Sequence, residues 1–253
     1  MAITYYHAEP VANSLKSMIP LFEKGIEFTS RYVDLHKFEQ HEDWFKAINP
    51  EGQVPVLDHD GIIITHTTVI NEYLEDVFPD VPLRPRDAEG AARMRYWNKF
   101  IDEHVMNFVS LHGWHRMVTV IARGIENGEF EKLMARIPLP DQRKKWQDAR
   151  SGYEQKDLDH ATNKVQQAVD KVNAQLEKTE WLAGNEYTLA DINFYSHCGM
   201  MIERMFPEMD VANRAPALVA WRDRMTARPG VKKALEMPDH TNPALRTFTG
   251  HVR

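Results

Sequence analysis

Residues 49–70 combine turns and side chains that could bind a small peptide. Pro50 and Gly52 predict a tight loop that leads through Val54 and Pro55 into a short strand, and a His-Asp-Gly turn then starts a second strand. A cis bond before Pro55 would leave the N–H and C=O of Val54 outside the sheet, where a ligand backbone could pair with them. The chemistry that this segment predicts is recognition of a peptide.

Two threonines, Thr67 and Thr68, follow the second strand and predict the start of a helix. The first amides of that helix, together with the Thr67 hydroxyl, could hold a carboxylate at the positive end of the helix dipole. Each half of the segment also has a simpler interpretation, an edge strand that opens with proline and a threonine helix cap. Because both halves occur in this order, we expect a ligand that is both peptide-like and anionic.

Asn13 and Ser14 stand where the first strand meets the first helix, and they could stabilise a sulfur anion. A hydroxyl or amide at a helix N-terminus donates hydrogen bonds to a thiolate and lowers the pKa of the bound thiol. The same residues could cap the helix, and the two roles are compatible. A thiol-disulfide enzyme would carry Cys-x-x-Cys at this turn, whereas the single cysteine, Cys198, lies far along the chain. We therefore expect Ser14, beside Asn13, to donate to the thiolate of a ligand.

The elements that position these residues form two groups. Residues 3–7 and 28–34 predict strands, residues 14–24 and 41–48 predict helices, and a hairpin and an amphipathic helix follow before a proline-rich linker at residues 78–87. From residue 88 onward, apolar residues recur at three- and four-residue spacing, which predicts helices alone. Thr188 and Asp191 form a predicted capping box in this region.

This order of elements resembles the glutathione transferases, and more narrowly the bacterial lignin β-aryl ether-cleaving transferases, the β-etherases. The stretches that carry the resemblance are ANSLK at 12–16, KFEQH at 37–41, NPEGQVP at 49–55 and EYLEDVFP at 72–79. The resemblance is dense over about 85 residues and returns at residues 145–150 and 188–191. It implies an α/β thioredoxin-like glutathione-binding domain at residues 1–80 and an all-α helical substrate-binding domain at residues 88–253. It also implies a structural role for Asp191.

The chemistry implied by the resemblance is displacement of a phenolate by glutathione, the co-substrate, without a metal. The thiolate, held by Asn13 and Ser14, attacks the carbon that bears an aryloxy group next to a ketone and leaves a glutathione thioether. The other expected glutathione contacts are Gln40 at the glycyl end, the Val54 backbone with Pro55 at the cysteinyl part, and His66 and Thr67 at the γ-glutamyl end.

His66 departs from the family pattern, which has glutamate at this position. A protonated histidine would repel the γ-glutamyl ammonium group, and loss of the charge-assisted contact would cost about 1.5 to 3 kcal/mol. A neighbouring carboxylate could replace the missing one. Alternatively, the chain is the weakly binding subunit of a heterodimer. The resemblance implies a dimer, and the sequence leaves homodimer and heterodimer open.

Residues 97–117 are rich in methionine and aromatic side chains, and we expect most of these side chains to lie in the hydrophobic core. The inner end of this segment could also line an apolar pocket for an aromatic substrate, with Trp146, Tyr153 and His115 as the expected contacts. A metal site is not expected, because His112 and His115 have Gly113 between them and no carboxylate at metal-ligand spacing.

Composition describes a globular protein without a nucleic-acid partner. The chain has 253 residues, 27% charged and 43% hydrophobic side chains, and a formal net charge of -6. It shows neither an apolar run of 18 residues nor a basic-then-apolar leader, so we expect a cytoplasmic protein that does not enter a membrane.

Overall fold

Four strands form the sheet of the N-terminal half. The computed structural model describes residues 2–199, 201–238 and 240. The strands are β1 (Ile3–His7), β2 (Thr29–Tyr32), β3 (Val56–His59) and β4 (Ile62–Thr65). Their order is β2-β1-β3-β4, in which β1 and β2 run parallel and the other neighbours run antiparallel. β2 is shorter than the strand predicted over residues 28–34.

Local sequence explains strand β1 and the hairpin of this sheet. Burial alternates along β1, with Ile3, Tyr5 and His7 facing inward. The turn between β3 and β4 uses Asp60 and Gly61 at φ 51° and 88°. Two successive residues with positive φ are the requirement of a type I′ hairpin turn, so the predicted hairpin is confirmed.

The helices of this half are α1 (Ala12–Glu23), α2 (Asp43–Lys46) and α3 (Thr67–Val77). α1 begins two residues before the predicted start and continues through Pro20. The helix predicted over residues 41–48 is wrong in extent, because two 3₁₀ turns, Leu35–Lys37 and Glu39–His41, precede the short α2. The left-handed conformation of Phe38, at φ 60°, separates these two turns and prevents one continuous helix.

The rest of the described chain is helical, except for the connections and one isolated bridge between Trp181 and Gly184. Its helices are α4 (Ala88–His104), α5 (Met106–Gly113), α6 (Thr119–Gly124), α7 (Asn127–Arg136), α8 (Pro140–Ser151), α9 (Gln155–Leu176), α10 (Leu189–Phe194), α11 (Ile202–Met205), α12 (Val211–Arg214), α13 (Pro216–Ala227) and α14 (Pro229–Leu235). Two π-helical turns, Trp114–Val118 and Tyr195–Gly199, follow α5 and α10. The predicted fold class is confirmed; residues 241–253 of the predicted helical domain lie outside the described residues.

The predicted capping box begins α10. The Thr188 hydroxyl accepts from the Ala190 N–H, and the Asp191 carboxylate accepts from the Thr188 N–H at 3.0 Å. Asp191 is fully buried and also accepts from Leu182 N and Trp221 Nε1, each at 2.9 Å. Burial raises the pKa of Asp191 to about 6, against the opposing effect of these hydrogen bonds. Asp191 therefore joins three segments of the helical half.

Within the described ranges, the helices are too short or too polar to cross a membrane. Residues 78–87 connect the two halves without helix or strand, as their prolines predict. Directly after α1, Lys24 Nζ donates to the carbonyl oxygens of Phe78 and Val81 at 2.9 and 2.8 Å, so the connection is bound to the N-terminal half.

Candidate active site

A cavity of about 440 Å³ lies between the N-terminus of α1 and the helices of the second half. Its lining brings together residues from both halves. Those that matter for chemistry are Asn13, Ser14, Gln40, Val54, Trp146 and His197. All but His197 were expected from the sequence.

Ser14 presents a hydroxyl proton to this cavity. Its side chain is 4% exposed, and its Oγ accepts a hydrogen bond from Ala8 N at 3.0 Å. The Tyr5 hydroxyl donates to the Ser14 carbonyl at 2.6 Å and fixes the backbone below it. A hydroxyl has one proton, and within the described residues no acceptor takes the proton of Ser14. Ser14 can therefore donate to a ligand atom in the cavity.

Asn13 lies beside Ser14 in the first turn of α1. Val11 is the residue at the cap position, and no side chain within the described residues caps the helix. The alternative role of Asn13 or Ser14 as a helix cap is therefore wrong, because the helix begins before them. Asn13 Oδ1 lies 3.1 Å from His197 Nε2.

The loop before β3 exposes a stretch of peptide backbone to the cavity. The Val54–Pro55 bond is cis, and within the described residues no hydrogen bond pairs the backbone N–H or C=O of Val54. The side chain of Asn49 shapes the loop, since Asn49 Nδ2 donates to Gln53 O at 2.8 Å and Oδ1 accepts from Glu51 N at 3.1 Å. Val54 can thus pair with a peptide-like ligand.

Gln40 and His41 provide further polar atoms on the same wall. Gln40 is 7% exposed, and its Oε1 and the His41 Nδ1 are buried without a hydrogen-bond partner among the described residues. Burial, followed by the charges of Arg136 and Lys46, lowers the pKa of His41 to about 4, so its ring is neutral at neutral pH. Buried polar groups are normally paired, and this wall is therefore suited to a polar ligand. From the sequence, only the position next to Gln40 indicated His41.

The start of α3 lies next to α1, near the cavity. Ser17, one turn after Ser14, donates from its hydroxyl to Thr67 O at 3.4 Å. The His66 side chain is 60% exposed, and its Nε2 lies 3.6 Å from Glu51 Oε2. The described residues that line the cavity do not include Pro55, His66 or Thr67. Glu51 therefore provides a carboxylate beside His66.

Part of the cavity lining consists of apolar side chains. Met106, Val109 and Met117 come from the segment predicted to be mostly core, with a pocket lining as the alternative for its inner end, and Met201 and Met205 come from the region of α11. No local sequence pattern indicated Met201 or Met205.

Trp146 also lines the cavity, with its ring centroid 4.6 Å from that of Phe38 and 5.5 Å from that of Trp114. The ring centroids of His115 and Tyr153 lie 6.0 Å apart, and neither residue is among the described residues that line the cavity. Of the three residues expected at the aromatic pocket, the structure brings only Trp146 to the described lining.

Cys198 does not supply a reactive thiolate. It is buried in the second π-helical turn, and burial raises the pKa of its thiol far above the usual range. Among residues 2–199, 201–238 and 240, no group of three or more His, Cys, Asp or Glu side chains could hold a metal ion. Besides hydroxyl, amide, imidazole and backbone groups, the described lining includes the charged side chains of Glu9, Arg116 and Lys145.

Comparisons with known proteins agree with this arrangement of sheet, helices and cavity. The family model described as glutathione S-transferase, N-terminal domain, matches residues 1–76, and the model of the C-terminal domain matches residues 128–229. Protein LigF from Sphingobium sp. strain SYK-6 is 44% identical over 241 residues, which are 93% of this chain and 94% of LigF.

Solved structures show the same similarity. The crystal structure of LigF, described as a β-etherase, has a TM-score of 0.90 at 42% identity and covers 94% of this chain and 100% of its own. Glutathione transferase F7 from Populus trichocarpa, 22% identical, shares the fold with a TM-score of 0.71 and covers 93% and 98% of the two chains. Since the matched regions include both the Ser14 turn and the helices opposite it, the chain belongs to the glutathione S-transferase family of enzymes.

Proposed function

We propose that this enzyme cleaves β-aryl ether bonds in lignin-derived aromatic compounds with glutathione as co-substrate. The observation that carries the proposal is the Ser14 hydroxyl, whose proton is free for a ligand at the boundary between a polar wall and an apolar cavity. Similarity to LigF over nearly the whole chain supports the same reaction class.

The proposed reaction is a nucleophilic displacement. Glutathione loses its thiol proton to solvent, and the sulfur anion accepts hydrogen bonds from Ser14 and Asn13. The sulfur lone pair forms a C–S bond with the carbon next to the ketone, while the C–O bond to the aryl group breaks. The phenolate leaves with the bonding pair and takes a proton from water. Positioning and stabilisation of the anion by fixed donors carry the catalysis.

Glutathione would lie along the polar wall of the cavity. The Val54 backbone would pair with its cysteinyl part, while Gln40 and the neutral His41 would contact the glycyl end. The free amides at the start of α3, with the Thr67 hydroxyl, would hold the γ-glutamyl carboxylate. We assign the γ-glutamyl ammonium group to Glu51, whose carboxylate lies beside His66.

The aromatic substrate would occupy the methionine-rich end, where Trp146 offers a ring face. Flexible methionine side chains adapt to aromatic groups of different substitution. His115 and Tyr153 would not contact the substrate directly. They would support the residues that line the cavity and so affect its shape.

A second candidate function follows from His66. If the histidine weakens glutathione binding, the chain serves as the transferase-fold subunit of a heterodimeric β-etherase. Exposed apolar side chains on β4, α3 and the following segments offer a dimer surface, and they are Ile62, Ile63, Val69, Val77, Val81 and Tyr96. We place either form in the cytoplasm, where reducing conditions keep glutathione as a thiol.

Calorimetry with glutathione and phenol release from a model β-aryl ether test the proposal together. We expect both signals from the isolated chain. Ser14→Ala should lower kcat about 100-fold, the effect of removing one fixed donor to an anion, while glutathione affinity changes little. Ser196→Ala is the matched control, because this buried hydroxyl donates to Ile192 O and lies outside the lining as described. Absence of both signals, followed by activity with a homologous partner, would favour the second function.

A further inference from the structure

The second π-helical turn, Tyr195–Gly199, places a buried histidine against the start of α1. His197 is 4% exposed and lines the cavity beside Asn13, although the two residues are 184 positions apart. π-Helical turns often occur at functional sites because they shift one side chain out of the regular helical register. His197 is therefore one polar side chain of the helical half that lies against Asn13, next to the predicted thiolate position.

The contacts of His197 determine its tautomer. Its Nδ1 lies 3.0 Å from the Asn193 carbonyl oxygen, which can only accept a hydrogen bond, so Nδ1 carries the ring proton. Burial, followed by the Lys16 ammonium, lowers the pKa of His197 to about 4, while the Asn193 carbonyl and the Asp102 carboxylate act in the opposite direction. At neutral pH the ring is neutral, and Nε2 has a lone pair without a proton.

The bare Nε2 then determines how Asn13 is oriented. Nε2 lies 3.1 Å from the amide atom of Asn13 that is placed as Oδ1. A bare nitrogen and a carbonyl oxygen are both acceptors, so the contact becomes a hydrogen bond only when the amide turns its NH₂ group toward the ring. One N–H then points to His197, and the second N–H of the same group remains for the cavity.

We propose that His197 is a positioning residue that holds the second amide N–H of Asn13 beside the Ser14 hydroxyl, as a second donor to the co-substrate sulfur. The inference rests on the proposed function. It assigns the orientation of a donor in the N-terminal half to a residue of the helical half. Without the ring acceptor, the exposed Asn13 amide would rotate freely and offer its oxygen to the sulfur as often as its nitrogen.

The test measures the thiol pKa of glutathione bound to the enzyme, from the ultraviolet absorbance of the thiolate across a pH series. In wild type we expect a pKa below that of free glutathione. In His197→Leu we expect that pKa to rise by about one unit. At pH values well below both pKa values kcat should be about tenfold lower, because one pKa unit is there a factor of ten in the thiolate fraction, and it should recover at high pH. Affinity for S-methylglutathione, which has no thiol proton, should stay unchanged.

Two controls separate positioning from general damage. His112→Leu removes another buried histidine, which contacts Leu158 O at 3.2 Å outside the described lining, and it should leave the thiol pKa unchanged. In an Asn13→Ala background, the His197→Leu substitution should add nothing to the pKa, because residues that act through one another are not additive.

The outcomes distinguish this inference from the proposed function. A wild-type complex whose thiol pKa equals that of free glutathione contradicts the proposed function. A lowered pKa that persists in His197→Leu overturns the role of His197 alone. If His197→Leu does not fold, ¹⁵N NMR of wild type decides, since a proton on Nε2 of His197 overturns the proposal and a proton on Nδ1 supports it.

Discussion

Individual polar atoms in the cavity show a common feature, the lack of a protein partner among the described residues. The Gln40 Oε1, the His41 Nδ1 and the backbone of Val54 are unpaired, and the Ser14 hydroxyl keeps its proton. A buried polar group left unpaired costs about 1 to 3 kcal/mol. A set of such groups on one wall is therefore unfavourable for the free protein and favourable for a complex with a polar ligand.

At the residue scale, Glu51→Gln tests how the chain compensates for His66. We expect the Kd of glutathione to rise about tenfold or more, because the substitution removes the carboxylate assigned to the γ-glutamyl ammonium group. Calorimetry measures the change.

A glutathione analogue that lacks the γ-glutamyl amine is the control for Glu51→Gln. It should bind wild type and variant equally. The assignment is wrong if the analogue loses as much affinity as glutathione does.

The loop before β3 is the element on which the polar wall depends. Gly52 has φ +63°, and a Cβ atom added there would lie 2.5 Å from His41 Nδ1 and 2.9 Å from Gln40 O. The close approach of backbone to His41 thus requires glycine. The loop and the 3₁₀ turn both contribute to the described lining of the cavity.

At the element scale, Gly52→Ala should both destabilise the protein and weaken glutathione binding. We expect a cost of about 1 to 3 kcal/mol from the left-handed conformation alone, with a further loss because His41 must move. Gly25→Ala is the matched control, since Gly25 has φ +65° and nothing within 4 Å of the added Cβ.

Denaturant unfolding and glutathione titration of both glycine variants check this prediction. Gly25→Ala should lose stability without loss of affinity. Equal affinities in the two variants would show that the contact with His41 has no role in binding.

At the scale of the whole molecule, α1 of the N-terminal half also packs against the helical half. One hydrophobic core includes Leu15 and Met18 of α1 together with Phe194 and Val231 of the helical half. A buried ion pair adds to it, as Lys16 Nζ lies 3.0 Å from Asp102 Oδ1 on α4 and donates to Thr68 Oγ1 at 3.0 Å. The helix that carries Ser14 is thereby fixed against the helices that line the apolar end of the cavity.

Lys16→Met tests this connection at the scale of the molecule. Removal of one partner from a buried ion pair leaves an uncompensated charge and usually costs about 3 to 5 kcal/mol of stability. We expect a loss of about 3 kcal/mol in the free energy of unfolding, because the Asp102 side chain is 31% exposed. Tm should fall by about 6 to 12 °C. Thermal unfolding at neutral pH measures the change.

The exposed pair of Arg214 and Asp170 provides the comparison for Lys16→Met. Both side chains are about half exposed, so Arg214→Met should cost about 1 kcal/mol or less. Equal losses from the two substitutions would contradict the role of the Lys16 pair.

The pH dependence of the Lys16 pair has a defined direction. Burial alone would raise the pKa of Asp102, but the Lys16 ammonium and the hydrogen bonds from Asn193 and Thr68 hold it below its usual value. The stabilisation is therefore present at neutral pH and is lost as the pH falls through the lowered pKa of Asp102.

Local sequence was sufficient for much of the fold and part of the site. The hairpin at Asp60 and Gly61 and the capping box at Thr188 were predictable, because their hydrogen bonds join residues a few positions apart. Ser14 and Val54 were identifiable for the same reason, since a helix start and a proline turn present their free groups locally.

Tertiary structure decided the rest. His197 reaches Asn13 across 184 positions, and Met201 and Met205 enter the cavity from the helical half without a local pattern. The exposure of His66 and its approach to Glu51 depend on how the loop packs beside α3. The sequence by itself determined which groups could serve a thiol peptide, while the packing of α1 between sheet and helices decided which of them face one cavity, because that packing joins residues that no short-range pattern relates.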